Sequence, residues 1–401
     1  MNKTRIITAD YVWDGVKDFP VPGAAIVIKG GNIQKIAPFN ELDQEQYYEV
    51  IEISGATLMP GLVDSHTHLS MDAALKDYLD HMKDGVADLT IRAVNMMRKD
   101  LVSGITTCRC LGDREFLDIA CRKAVEEKRL DGPRLLVAGK GIRASSGHGF
   151  VGYPVDGLNA IKKAVNGNVV QGVDLIKFYI TGTLKGDGKL PSYLSRKEIQ
   201  TIIREAHQAG LPAASHCVGG IGLDWALNEG LDTLEHAYHI SNDQIEKLIK
   251  SSTWTVLTPS PILLEDRINN LPVDLISDHK KEKEEIKSRM MALIASGIPY
   301  AVGSDGMHGT LANEVGYLVE MGATNISALR AATVNGAKIA GIISNTGSLE
   351  PGKKADIIAV AGNPLKDIKA LKKIRAVMKE GTWIVKPEYP GLKEYTNITD
   401  P

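Results

Sequence analysis

Short apolar runs alternate with longer amphipathic stretches through the middle of the chain. The apolar runs have the length of buried strands and lie near 58–65, 104–110, 133–138, 173–178, 211–216, 231–236, 253–258 and 298–304. Each run precedes a stretch with helical periodicity, as at 195–209 and 280–296. Strands that alternate with helices predict a parallel sheet. Eight such units in about 270 residues predict an α/β fold of the (β/α)8 TIM-barrel type.

The two ends of the chain carry short strand patterns separated by turns. Apolar residues flank Gly30-Gly31, and a second hairpin pattern surrounds Gly381. We expect these strand-rich ends to pair with each other and to form one small β-sandwich domain. The predicted division is a small β domain of residues 1–57 and 345–401, and a barrel domain of residues 58–344.

Composition narrows the class of protein. The chain has 401 residues, of which 43% are hydrophobic and 24% charged, as is typical of a globular enzyme. A formal net charge of −2 gives no electrostatic reason to expect nucleic acid or a membrane surface as partner.

No apolar run reaches the ~18 residues that span a bilayer, and the first residues turn polar too early for a signal peptide. Four cysteines without CxxC spacing indicate neither a zinc knuckle nor a disulfide framework. We expect a cytoplasmic protein, either a monomer or a homo-oligomer.

Metal-binding side chains fall at the carboxyl ends of the predicted barrel strands, where the active sites of such barrels lie. His66 and His68 end the first strand, and residues i and i+2 of a strand share a face, so both imidazoles can reach one ion. Imidazole and carboxylate groups are ligands of Zn²⁺, Fe²⁺ and Mn²⁺. The full candidate set is His66, His68, Lys177, His216, His236 and Asp305.

Each of these residues also has a structural interpretation. A histidine at a strand end is often a satisfied polar residue, Lys177 could extend its ammonium to water, and Asp305 could cap the next helix. Six such residues at the ends of five predicted strands are difficult to explain in this way. Their joint placement favours a metal centre.

Lys177 requires separate chemistry, because an ammonium group is a poor metal ligand. A lysine buried beside two cations is driven towards the neutral amine by desolvation and by charge repulsion. The neutral amine can react with CO2 to give an anionic carbamate. Such a carboxylate-like group could bridge two metals about 3.5–4 Å apart.

Together these residues resemble the amidohydrolase superfamily. The segment Met59-Pro60-Gly61-Leu62-Val63-Asp64-Ser65-His66-Thr67-His68 is similar to its first-strand motif, and residues 347–357 are similar to the return into its small β domain. The resemblance covers nearly the whole chain. It implies two divalent ions, with Zn²⁺ as the first expectation, bridged by carboxylated Lys177. By analogy His66, His68 and Asp305 hold the more buried ion, and His216 and His236 hold the other.

The resemblance also implies the reaction. A metal-bridging hydroxide would attack a substrate carbonyl that the more exposed ion polarises. Asp305 would take the proton and pass it to the leaving nitrogen. Deaminases of the superfamily commonly lack the strand-4 lysine, and several place a glutamate three residues after the strand-5 histidine, where this chain has Gly219. Both differences count against a deaminase.

Within the superfamily the chain is most similar to the prolidase-like, or Xaa-Pro and Xaa-Arg dipeptidase-like, branch. The similarity lies in residues 174–182, in Gly147-His148-Gly149 and in Glu235-His236-Ala237-Tyr238. It implies that His148 and Tyr238 bind the substrate carbonyl or carboxylate. Alternatively His148 lies in a flexible loop, and Tyr238 packs at the barrel rim. The expected substrate is a dipeptide or an N-acyl amino acid; a cyclic amide or lactone hydrolase and a non-catalytic binding protein are the alternatives.

Other polar residues are weaker candidates. His308 either faces the pocket or lies on the surface, and Arg143 and Lys185 either meet an anionic substrate end or are ordinary surface charges. The glycine-rich loop 182–191 lacks the spacing of a phosphate-binding loop, which leaves a mobile lid or a simple linker. His81 and His207 fall inside helical patterns and are expected to be structural.

Overall fold

The computed structural model describes residues 4–43, 49–75, 77–182, 190–264 and 276–387. In chain order its strands are β1 (Thr4–Val12), β2 (Val21–Pro22), β3 (Ala24–Lys29), β4 (Asn32–Pro38), β5 (Glu49–Pro60), β6 (Leu62–Thr67), β7 (Ile105–Cys110), β8 (Arg134–Val137), β9 (Ile142–Arg143), β10 (Tyr153–Pro154), β11 (Ile176–Tyr179), β12 (Ala213–Cys217), β13 (Thr233–His236), β14 (Trp254–Leu257), β15 (Tyr300–Val302), β16 (Ile357–Ala361), β17 (Ile374–Lys379) and β18 (Thr382–Val385).

Helices follow most of the barrel strands. In chain order they are α1 (Tyr78–His81), α2 (Val86–Val102), α3 (Leu117–Glu126), α4 (Leu158–Val170), α5 (Arg196–Gln208), α6 (Ile221–Asn228), α7 (Asn242–Ile249), α8 (Ser260–Leu263), α9 (Ile276–Ala295), α10 (Leu311–Glu320), α11 (Asn325–Ala331) and α12 (Val334–Ile339). None of the described helices is long and apolar enough to cross a bilayer.

Eight parallel strands form the barrel that the sequence predicts. Hydrogen bonds join β6 to β7 and β8, and β11 successively to β12, β13, β14 and β15. Backbone bonds close the two gaps: Asp174 N–H donates to Val137 O, and Asp305 N–H donates to His66 O, each over 2.8 Å. Because neighbouring strands run parallel, their carboxyl ends meet at one end of the barrel.

The helices cover the barrel with one apolar face. Helix α5 begins with a capping box between Ser195 and Glu198, which satisfies backbone donors that have no partner within the helix. Its buried residues are Ile199, Ile202, Ile203 and Ala206. This i, i+3, i+4, i+7 spacing is the pattern of a helix with one face on a core.

Segments from both ends of the chain form the second unit, as predicted. Its strand order is β18-β17-β16-β5-β1-β3-β4, with β2 beside β1. Strand β5 joins the two ends, because it pairs with β1 on one side and with β16 on the other. The hydrogen-bond ladder of this unit is one continuous sheet.

The first barrel strand begins slightly later than the apolar pattern suggests. Residues 58–60 were expected to begin the first barrel strand, but Leu58 pairs with Ala359 and Met59 with Ile358 in the terminal sheet. The first barrel strand begins at Leu62, after a break at Gly61. The apolar run 58–63 continues across this break, so the sequence alone shows no boundary between the two strands. The domain limits of 57/58 and 344/345 remain predictions.

Candidate metal centre

The six candidate ligands converge at the carboxyl end of the barrel. Lys177 lies in β11, His216 in β12 and His236 at the end of β13, while His66 and His68 stand at the end of β6 and Asp305 follows β15. The lysine and the four histidines are buried, and the side chain of Asp305 is 21% exposed. The cluster is therefore internal and reaches the barrel mouth at Asp305.

The distances place the ligand atoms around one small volume. His66 Nε2 lies 3.5 Å from Lys177 Nζ and 3.4 Å from Asp305 Oδ1. His68 Nε2 is 3.7 Å from the same Asp305 oxygen. The His236 ring centroid lies 4.6 Å from that of His66 and 4.4 Å from that of His216. Ligand atoms of His66, His236 and Asp305 all lie within 4.8 Å of one another, a spacing that suits a compact metal centre.

Two ligands adopt left-handed backbone conformations that direct them into this volume. The φ angle is +77° at His236 and +50° at Asp305. Such conformations cost roughly 1–3 kcal/mol in residues other than glycine and occur often at functional sites. Neighbouring strand residues normally point to opposite faces, so the turned backbone at His236 lets both Glu235 and His236 face the centre.

A glycine allows the first and last barrel strands to approach. A Cβ at Gly303 would lie 2.5 Å from both the Cβ and the backbone nitrogen of His66. Such a contact is far inside van der Waals distance, so any side chain here would force the strand ends apart. Gly303 thereby permits the contact between His66 and Asp305.

Burial keeps the ligands in forms that can bind a metal. It lowers the pKa of His66, His216 and His236 well below the usual value, with further lowering by neighbouring cationic groups. It also lowers the pKa of His68 to about 3. Neutral imidazoles offer a lone pair at neutral pH. Burial lowers the pKa of Lys177 to about 8, against the opposing attraction of Glu235 and Asp305, which favours the neutral amine required for carbamate formation.

Hydrogen bonds turn the histidine Nε2 atoms towards the centre. His66 Nδ1 lies 2.8 Å from Glu235 Oε2, and His68 Nδ1 donates to Gly112 O over 2.7 Å. His236 Nδ1 lies 2.7 Å from Thr258 Oγ1. Occupying one ring nitrogen in this way fixes the tautomer and frees the other for a metal. His216 Nε2 is buried and has no hydrogen-bond partner among the described residues. An unsatisfied buried nitrogen beside neutral imidazoles fits a missing ion.

Glu235 and Arg109 support His66 and were missed in the sequence. Arg109 Nη1 donates to Glu235 Oε1 over 3.0 Å, and Thr233 Oγ1 donates to the same oxygen over 2.7 Å. Both members of this ion pair are buried. The sequence does contain a signal for this pair, because Arg109 and Glu235 each lie inside a predicted buried strand. Charged residues are rarely buried unless they are paired.

Glu235→Gln is expected to weaken metal binding about 10–100-fold, the usual effect of removing a group that orients a metal ligand. The amide keeps the size of the side chain but removes the charge that holds both His66 and Arg109. Competition with a chromophoric chelator measures the affinity. Glu127→Gln is the matched control, because Glu127 is exposed and pairs with the exposed residues Lys123 and Arg129. Equal metal affinity in Glu235→Gln and the control would show that Glu235 does not position His66.

His148 and Tyr238, the two predicted substrate-binding residues, border the cluster differently. The His148 ring centroid lies 4.5 Å from that of His216, and burial lowers the pKa of His148 to about 4. The Tyr238 hydroxyl donates to Thr258 O over 2.9 Å and lies 2.7 Å from Thr258 Oγ1. Tyr238 therefore positions Thr258, the hydrogen-bond partner of His236. Substrate contacts of both residues remain predictions.

His308 occupies neither the pocket nor the surface, contrary to both interpretations of its loop. It is fully buried, with Nδ1 2.7 Å from Asp100 Oδ2 and Nε2 3.0 Å from Met71 O. Although burial alone lowers its pKa, the Asp100 carboxylate raises that pKa to about 9. A buried imidazolium here ties the loop after β15 to α2 and to the loop after β6.

The weaker candidates have mainly structural contacts. Arg143 donates to the backbone oxygens of Ala144, Ser145, Gly147 and Gly152, so it braces its own loop. His207 lies 2.7 Å from Asp232, and His81 lies 3.4 Å from Asp84. Lys185 and residues 183–189 of the proposed lid lie outside the described residues.

Comparison with known proteins agrees with this geometry. The amidohydrolase family model matches residues 57–384. Ochratoxinase from Aspergillus niger is 26% identical over an alignment that covers 94% of this chain and 85% of that protein. Imidazolonepropionase from Pseudomonas aeruginosa (strain UCBPP-PA14) is 24% identical over 84% of this chain and 87% of that protein. A crystal structure of a Xaa-Pro dipeptidase with bound methionine in the active site superposes with a TM-score of 0.85 and 28% identity, covering 96% of this chain and 100% of that one.

The family match spans most of the chain and includes the barrel that carries the ligand cluster. The relatives confirm the resemblance inferred from the strand-end residues, including its prolidase-like branch. They also indicate a hydrolase that acts on carbon–nitrogen amide bonds. The chain belongs to the amidohydrolase family.

Proposed function

We propose that this enzyme is a metal-dependent hydrolase of dipeptides or N-acyl amino acids. The observation that carries the proposal is Lys177, a buried amine 3.5 Å from His66 Nε2 within a group of histidines that burial keeps neutral. Its pKa of about 8 makes the neutral amine accessible near neutral pH. The Xaa-Pro dipeptidase and ochratoxinase relatives support the substrate class.

The ligand set divides between two ions. His66, His68 and Asp305 would hold one, His216 and His236 the other, and carboxylated Lys177 would contribute to both. Carboxylation joins the Lys177 nitrogen to the carbon of CO2 and releases a proton, which converts a cationic residue into an anionic ligand. When bound, two divalent ions would acidify water and polarise the substrate carbonyl.

The residues of the chain supply the proton transfer. Asp305 Oδ1 lies next to His66 and His68 inside the cluster. The Asp305 side chain is also partly exposed, so its carboxyl group can be reached from the mouth of the barrel. It can therefore take a proton from the attacking water and deliver it to the nitrogen of the scissile amide. The products are an acid and an amine.

His148 borders the centre at His216. Its ring lies next to His216, and its lowered pKa keeps the imidazole neutral at pH 7. A neutral imidazole with one N–H can donate to the oxygen of the substrate carbonyl without adding a cation beside the metals. We propose this orienting role for His148.

A substrate panel tests the proposed function. Xaa-Pro and Xaa-Arg dipeptides, N-acyl amino acids and cyclic amides are each incubated with the metal-loaded enzyme. Ninhydrin detects the amines that are released, and a change in pH reports the ring opening of cyclic amides. We expect turnover of a dipeptide or an N-acyl amino acid that stops when a chelator removes the metal. Turnover of a cyclic amide alone would instead favour the cyclic-substrate activity, to which the imidazolonepropionase relatives lend some support.

A further inference from the structure

Tyr179 is a wall residue of the centre to which neither the family motif nor the proposed mechanism gives a role. It follows Lys177 by two positions in β11 and shares its face of the strand. Its ring centroid lies 5.0 Å from Lys177 Nζ and 5.7 Å from the ring of His216. Tyr179 therefore lies beside the metal ligands, one step nearer the barrel mouth than Lys177.

The Tyr179 hydroxyl is buried and has no hydrogen-bond partner among the described residues. A phenolic hydroxyl carries its proton at neutral pH and can donate it to a hydrogen bond. An unsatisfied buried donor destabilises a protein. A phenylalanine ring would fill the same space without that penalty, so packing alone does not account for the hydroxyl.

Three glycines hold the Tyr179 ring in place. A Cβ would lie 2.6 Å from ring atoms of Tyr179 at Gly149, 2.8 Å at Gly152 and 2.9 Å at Gly141. Any larger residue at these positions would collide with the ring. Arg143 ties this loop together through its backbone oxygens, so the loop packs closely against the ring and leaves it little room to turn.

The same loop carries His148, so two potential donors flank His216. The His148 ring lies 4.5 Å from His216, and the Tyr179 ring lies 5.7 Å from it. Tyr238 differs, because its hydroxyl already bonds to Thr258. Of these two wall tyrosines, Tyr179 has the donor without a partner in the described part of the chain.

We propose that the Tyr179 hydroxyl donates a hydrogen bond to the carbonyl oxygen of the scissile amide. This inference rests on the proposed function. The position beside His216, a ligand of the ion expected to polarise that carbonyl, selects this oxygen over the leaving amine. Donors fixed before the reaction stabilise negative charge that develops on such an oxygen. The missing partner of the buried hydroxyl is thus the substrate.

Tyr179→Phe tests the proposal, and Tyr238→Phe serves only as the stability reference for a tyrosine whose hydroxyl makes a structural hydrogen bond. With the best substrate of the panel, Tyr179→Phe should lower kcat/KM about 100-fold, as expected for the loss of one such donor. Its metal content should equal that of the wild type. The melting temperature without substrate should stay equal or rise, because the substitution removes an unsatisfied group. Tyr238→Phe should instead melt roughly 2 °C lower, since it loses bonds to Thr258.

Three outcomes overturn the proposal. Wild-type kcat/KM in Tyr179→Phe would show that the hydroxyl does not contact the reacting carbonyl. A melting temperature lowered as in Tyr238→Phe, or a loss of metal, would show a structural role. If the wild type cleaves no amide in the panel, the proposed function itself has failed, and the role of Tyr179 falls with it.

Discussion

Replacing Lys177 by alanine is expected to abolish amide hydrolysis, lowering kcat/KM on the order of 10⁴-fold or more. The reason is that carboxylated Lys177 is proposed to contribute to both ions. Without it, the cluster would lose this anionic bridge and would retain neutral imidazoles with the carboxylate of Asp305. The metal content should fall together with activity, which inductively coupled plasma mass spectrometry of the dialysed variant measures.

Chemical rescue separates this role from a general effect on folding. Acetate or propionate can enter the space left by the side chain and replace the carbamate oxygens, so either anion should restore part of the activity. Lys379→Ala is the matched control. Lys379 is also partly buried, but it donates to Gly132 O in the loop before β8, at the opposite end of the barrel from the ligands. Full activity in Lys177→Ala would refute the carbamate bridge.

Asp305→Asn is expected to lower kcat about 10³-fold, because the amide cannot accept the proton that the carboxylate carries to the leaving nitrogen. Asparagine suits this test for a structural reason. Asp305 has a left-handed backbone with φ of +50°, which asparagine tolerates far better than alanine. The backbone bond from Asp305 N–H to His66 O should persist, so the barrel should still close.

Measurement of kcat at metal saturation separates proton transfer from metal binding. The variant should bind substrate with a KM near that of the wild type, and its melting temperature should change little. Asp80→Asn is a suitable control, because Asp80 is exposed and its carboxylate contacts the exposed Lys83. A kcat within a few fold of the wild type would assign the proton transfer to another group.

The sequence was sufficient to predict the barrel and the cluster of polar side chains at its carboxyl end. Strand–helix alternation repeats eight times, and the polar residues that end those strands must meet because parallel strands place their carboxyl ends together. Each candidate ligand could therefore be identified from local sequence alone. The start of β6 could not be identified in this way, because an apolar run from β5 continues through Gly61 without a change in composition.

The supporting contacts depend on information that local sequence does not contain. Glu235 was missed because strand alternation places it opposite His236, whereas the left-handed backbone at His236 turns both inwards. His308 was misplaced because its partner, Asp100, lies 208 residues earlier in the chain. Likewise, the bond from Tyr238 to Thr258 appears only in the folded protein.

The metal content of the wild-type enzyme tests the central claim most directly. Protein purified without chelators and dialysed against metal-free buffer is analysed by inductively coupled plasma mass spectrometry, with the protein concentration taken from amino-acid analysis. We predict about two divalent ions per chain, as in other two-metal hydrolase sites. A value near zero in folded protein that stays inert after incubation with Zn²⁺, Mn²⁺ or Fe²⁺ and bicarbonate would contradict the account.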